Sequence, residues 1–303
     1  MSRSLGRLLG LASLVFKLEC RQPSGSWLDR SADAIVASAV AAGRTGLCTV
    51  GPDAWTLPLA MRCARAGLRV VVLEPTVDVA ADAGPRRSDE RAWLSALGVR
   101  TVTIEADARA VRAATPGVAA GAGLFWVAPD DPSLDLGLAA AVDEVERAGH
   151  ADALLALPEL TGREARWLAR GIRLFPAVVG RLEGATACPA DHDPSLVVSI
   201  AVSVREADAA RRLLAREEGL LVSRVGASGL AGLVRALRED RARRPREKRL
   251  RGATSAAVIL AGGPVWADEA PPPEPDAVPL RPVPLASLTA DLARLLVGPP
   301  GRR

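Results

Sequence analysis

Lys17 to Arg30 reads KLECRQPSGSWLDR. The K-L-E triplet belongs to a strand, and a helical pattern runs from Asp29 to Ala42. Outward from this stretch the chain alternates short β-branched runs with amphipathic ones. Strands are expected at Leu47–Gly51, Arg69–Pro75, Arg100–Ala106, Gly123–Ala128, Ala153–Pro158, Ala177–Glu183, Val197–Ser203, Gly219–Arg224 and Ala256–Gly263. Helices are expected at Trp55–Ala66, Glu90–Leu97, Leu136–Ala148, Arg163–Arg173, Glu206–Arg216 and Ala227–Arg238. Strand and helix in alternation imply an α/β protein with right-handed crossovers and parallel sheets covered by helices. With 303 residues, 49% of them hydrophobic, the length suggests about two domains.

The opening stretch resembles the K-x-E…N-P-T-G-S-F-K-D-R signature of the fold-type II pyridoxal-phosphate enzymes, the threonine synthase, cysteine synthase and tryptophan synthase β group. Three further segments follow in that family's order. Ala60–Leu68 with Arg69–Pro75 (AMRCARAGL, RVVVLEP) resembles the helix and strand after the family's S-T-G-N loop. Pro158–Gly171 (PELTGREARWLARG) matches P-V-G-N-G-G-N-L-A-G-I-W-K-G without a gap. Glu217–Gly229 (EEGLLVSRVGASG) is similar to E-E-G-I…E-P-S-G-A, and Ala256–Gly263 stands where the family has a strand ending in T-G or S-G. The resemblance implies two α/β domains facing a cleft. The smaller would span 45–130 and the larger 1–44 plus 131–266, with a connector at 267–286 and a terminal helix and tail at 287–303. The family has more residues ahead of the K-x-E strand, which implies an incomplete small domain or dimer surface here.

What the resemblance implies about chemistry depends on the positions that differ. The lysine that carries the cofactor as a Schiff base is replaced by Leu28, which has no amine to condense with an aldehyde. The substrate loop S-T-G-N is replaced by Gly51, Pro52, Asp53 and Ala54, so the side-chain hydrogen bond to the cofactor's ring hydroxyl is lost. The glycine-rich phosphate cradle becomes Glu159, Leu160, Thr161, Gly162 and Arg163, which fills space that backbone N–H groups need to approach an anion. The residue opposite the pyridine nitrogen becomes Ala261. The expectation is therefore a threonine synthase-like but non-catalytic protein with no cofactor, acting as partner subunit or binder of a small amino-acid-like ligand. The alternative is a lyase or β-replacement enzyme holding pyridoxal phosphate without the covalent link. A homodimer or a catalytic homologue would be the partner.

Other chemistries find little support. Of 39 basic residues only Lys17 and Lys248 are lysines, the first expected in a salt bridge and the second in a solvated loop. Arginine stays protonated and cannot replace them in a Schiff base. Cys20, Cys48, Cys63 and Cys188 form no C-x-x-C pair, and His150 and His192 complete no metal set, so core cysteines in a reducing compartment are expected. Cys188 with His192 four residues on is too little for a nucleophile and base. The glycines of Val225–Gly232 lack the lysine of a phosphate loop and are read as helix packing. SLGRLLGLASLVF is interrupted by Arg7, which argues against a membrane span and for a cytoplasmic protein. Arg235–Arg251 carries nine basic and three acidic residues but no aromatic, so a solvated connector is expected rather than a nucleic-acid surface. Pro271–Pro284 holds seven prolines and reads as an extended connector; Ser287–Val297 reads as a capped helix.

Overall fold

The computed structural model describes residues 2, 4–51, 54–76, 85–150, 153–158, 160, 177–183, 197–242, 250, 254–262 and 283–284. The chain divides into two units, one of Met1–Trp27 with Asp135–Val265, the other of Leu28–Leu134 with Trp266–Arg303. Each forms around a five-stranded sheet in which every pair is parallel.

The first unit begins with α1 (Ser4–Leu8) and β1 (Ser13–Leu18). The chain then builds the second unit: α2 (Leu28–Ala41), β2 (Gly46–Val50), α3 (Thr56–Ala66), β3 (Arg69–Pro75), α4 (Pro85–Ala96), β4 (Arg100–Glu105), α5 (Ala108–Gly121) and β5 (Phe125–Trp126). It returns to the first with α6 (Leu136–Arg147), β6 (Leu154–Leu157), β7 (Ala177–Leu182), β8 (Val197–Val202), α7 (Val204–Glu218), α8 (Arg224–Ala242) and β9 (Ser255–Leu260). A last short strand, β10 (Val283–Pro284), joins the second sheet.

In the second unit's sheet, ordered β10-β4-β3-β2-β5, the central strands β2 and β3 are buried on both faces, as their uninterrupted aliphatic runs require. Strand periodicity sends Val71 and Leu73 with Val102 and Ile104 toward Val111 and Val118 of α5. Val70 and Val72 point the other way, to Ile35 and Ala39 of α2 and Leu59 and Cys63 of α3. This core holds α2 against the sheet of the second unit. The Ser31 hydroxyl also donates to the Leu134 carbonyl at 2.9 Å, tying α2 to the unit's last residue before α6.

The first unit's sheet is ordered β1-β9-β6-β7-β8. Leu14, Leu154, Val178, Val258 and Leu260 meet Leu230, Leu233 and Leu237 of α8 in one cluster. α7 is bounded as its sequence dictates. Ser203 and Glu206 form a reciprocal capping box at its start, and Gly219 at φ 65° ends it.

Four elements differ from the sequence expectation. Gly219–Arg224 is not a strand: Gly219 is the left-handed cap of α7, and α8 begins at Arg224. α5 was not anticipated because Pro116 and Gly117 interrupt its pattern, although Asp107 caps it by accepting from Ala110 N at 2.7 Å. The first part of the basic stretch is helix, not connector, since α8 runs to Ala242 and Arg235 pairs with Glu239 at 3.0 Å. Within the proline-rich stretch, Val283–Pro284 pairs with Ile104–Glu105 as a strand. The expected helices at 163–173 and 287–297 lie outside the described residues.

Candidate functional site

In the first unit the predicted segments converge at the carboxyl ends of β1 and β9. After β1 a 3-10 turn, Glu19–Arg21, leads into the loop containing Gly25, whose φ of 79° suits a residue without a Cβ. Gly262, just past β9, donates its N–H to the Gly25 carbonyl at 2.6 Å, and its own carbonyl accepts from Ser223 N at 3.2 Å. The Ser223 hydroxyl accepts from Gly226 N at 3.0 Å and so caps α8. Gly262 has φ 81°, and a Cβ on it would collide with that hydroxyl. Ser223 is thus a structural centre of this corner that sequence reasoning did not single out; its signal was a serine directly before a helical period.

The glycines of α8 explain how the corner is held. A Cβ on Gly229 would stand 2.6 Å from the Leu157 carbonyl carbon, and one on Gly232 would stand 2.8 Å from the Gly180 Cα. A Cβ on Gly226 would collide with the Ala261 carbonyl. Three glycines at intervals of three lay the helix backbone directly on β9, β6 and β7. The helix-packing reading of this run is what the structure shows.

Ala261 is 7% exposed, a methyl enclosed at the end of β9. Leu160, also buried, follows Pro158 at the end of β6; Thr161, Gly162 and Arg163 lie outside the described residues. Lys17 Nζ lies 2.5 Å from the fully buried Glu19 carboxylate and 2.9 Å from Glu144, so this lysine is committed to an ion pair, as its K-L-E setting suggested. Lys248 lies outside the described residues.

In the second unit Leu28 opens α2 with a side chain 7% exposed. Its neighbour Asp29 is fully buried and faces Arg62 Nε of α3 at 3.6 Å, while Arg62 reaches Asp33 at 3.2 Å. Asp29 of the signature therefore supports the helix pair. Gly51 leaves β2 with its N–H on the Leu73 carbonyl at 3.1 Å. Ala54 is exposed, and Pro52 and Asp53 lie outside the described residues. Trp55 Nε1 donates to the Thr49 hydroxyl at 3.3 Å, pinning the loop's far side to β2.

Among the described residues the remaining candidates are not assembled into a catalytic group. Burial pushes the Cys48 and Cys63 thiols up to about 12 and raises Cys20 as well, which makes all three poor nucleophiles. His150 ends a turn after α6, while Cys188 and His192 lie outside the described residues. Among the described residues no group of His, Cys, Asp and Glu could hold a metal, and no helix is long and apolar enough to cross a membrane.

Several solved structures share the fold. Serine racemase from Dictyostelium discoideum superposes with a TM-score of 0.64 at 17% identity, covering 87% of this chain and 91% of its own. Maize serine racemase gives 0.64 at 16% identity, covering 87% of each chain. A pyridoxal 5'-phosphate-dependent aspartate racemase gives 0.61 at 17% identity, covering 89% of this chain and 91% of its own. The fold is that of the fold-type II pyridoxal-phosphate enzymes. No protein-family model matches the sequence, and no curated protein does.

At the positions that resemble the family's cofactor contacts, the residues do not suit that cofactor. Covalent attachment needs an amine, and Leu28 offers a buried alkyl chain. A polar ring atom needs a hydrogen-bond partner, which neither the Ala54 nor the Ala261 methyl group provides.

Proposed function

We propose that this chain is a non-catalytic protein built on the pyridoxal-phosphate enzyme scaffold, threonine synthase-like in its motifs. It acts as a cytoplasmic partner subunit, in a homodimer or with a catalytic homologue, or as a binder of a small amino-acid-like ligand. One observation carries the reading: the fold places a buried leucine, Leu28, at the start of α2, in the stretch that resembles the lysine signature. The ion pairing of Lys17 supports it, because freeing that amine would strip the buried Glu19 of a cation.

Titrating the purified protein with pyridoxal 5'-phosphate while following absorbance and melting temperature tests this. The expected outcome is no saturable band and no rise in melting temperature. A saturable band would sink the reading and favour the alternative, a lyase or β-replacement enzyme that holds the cofactor without the usual lysine.

A further inference from the structure

We propose that the first unit carries a binding site for a single-chain amphiphile, an aliphatic tail with a carboxylate or phosphate head, apart from the positions that resemble cofactor contacts. It goes beyond the non-catalytic reading and does not depend on it. The site is a cavity of about 320 Å³ between α1, α7 and α8, at the small end of the range that ligand sites occupy. Its wall is aliphatic: Leu8 and Leu9 from the end of α1, Leu213 from α7, and Val234 and Leu237 from α8. Leu8 is 67% exposed, so the apolar lining reaches the surface. Arg238 and Arg241 complete the lining, and among the described residues no acidic side chain joins them.

Helix periodicity puts the two kinds of side chain in order. Val234, Leu237, Arg238 and Arg241 are spaced three and four apart, so one stripe of α8 passes from apolar to cationic along its length. Glu239 and Asp240 fall on another face, where they line a separate hollow with Ser199 and Leu250. The Arg241 guanidinium is held in place: it donates to the Leu9 carbonyl and lies over Gly10, where a Cβ would stand 2.6 Å from it. That bond uses one of five N–H donors, and the planar fork suits a carboxylate or phosphate. Arg238 feels the charge of Glu206 on α7 but joins no hydrogen bond or ion pair among the described residues. A bare anion would meet two solvated guanidinia near a helix C-terminus, where salt screens the attraction and the helix dipole opposes it. A bare tail would leave both cations unused. Only a ligand with both parts engages the whole lining, apolar wall and guanidinia together.

Calorimetric titration of the full chain, with amphiphile kept below its micelle concentration, compares decanoate and decyl phosphate with acetate, inorganic phosphate and decanol. At least one amphiphile is expected to bind saturably at one site per chain, and each partial ligand at least about tenfold more weakly. Binding of neither amphiphile overturns the proposal, as does equally tight binding of a tail-free anion or of decanol. Arg238→Gln, at an exposed position, is expected to weaken the amphiphile about tenfold and leave decanol unchanged. Val234→Phe, which fills the cavity, is expected to weaken both, after circular dichroism shows that it folds. Unchanged affinity in either folded variant would put the ligand elsewhere and overturn the site. Should Val234→Phe not fold, Arg238→Gln and the partial ligands decide the matter. Sedimentation with anionic vesicles, without binding of the free amphiphiles, would make this face a membrane contact and overturns the proposal as well.

Discussion

The glycine seam of α8 and the end of β9 touch at Gly226 and Ala261, yet they resemble the enzyme signature to very different degrees. Along the seam, position after position is fixed by how closely two backbones approach, and any side chain larger than hydrogen forces them apart. At Ala261 the backbone path is equally constrained, but the side chain is a single buried methyl. On the reading proposed above, a position of the second kind can change without unfolding the chain, because the backbone contacts beside it are kept. The pair of regions separates what the fold requires from what only a ligand would.

Breaking the seam should have the largest effect. Gly226→Ala is expected to destabilise the protein by about 3 kcal/mol in chemical denaturation. A loss below about 1 kcal/mol would show that the helix can move off β9 cheaply. Lys17→Met tests whether the ion pair at the end of β1 is equally structural. Removing the cation from the buried Glu19 should cost about 3 kcal/mol, and a near-neutral result would return Lys17 to the list of available amines.

Ser203→Ala tests a boundary outside the seam and should cost about 1 kcal/mol by removing the cap of α7. Glu206 sharpens it, since hydrogen bonds from the Ser203 hydroxyl and backbone hold its carboxyl below the usual carboxylate range. A depressed pKa contributes stability above the unfolded value and loses it as pH falls through the folded one. The gap between wild type and Ser203→Ala should therefore be constant near neutrality and narrow in acid, below the usual carboxylate pKa. Gly117→Ala in α5 is the counter-case to the seam, because a Cβ there meets nothing within 4 Å. It should stabilise by about 0.7 kcal/mol, read as a rise in melting temperature.

The fold was legible wherever apolar periodicity and capping agreed, as in β3, whose bounds match the expectation of Arg69–Pro75. It was not legible where a local signal had a second meaning. Gly219 followed by Leu220, Leu221 and Val222 reads as the start of a strand, but the glycine is a helix terminator and the chain turns into α8 five residues later. Pro116 reads as a breaker, though α5 continues through it. Val283–Pro284 pairs only because β4 lies ready to accept it, which no local pattern records. At the candidate site, the departure of Leu28 from the signature it resembles could be read directly, since the signature has one residue type there. The role of Ser223 could not, because it arises from contacts with Gly262 and Gly226 on segments distant in sequence or hidden in helix geometry.

The pairing of β1 with β9, Ser13 beside Ser255, also sets the order of assembly during synthesis. β1 meets its described neighbour only once Ser255–Leu260 has been made, with Leu28–Leu134 of the second unit emerging between them. Until Ser255–Leu260 is available, β1 keeps unpaired backbone groups and Leu14 lacks its cover, the condition under which strand edges associate with other chains. A nascent chain stalled short of residue 255 should therefore depend on chaperones, and the first unit should close only once Ser255–Leu260 has emerged.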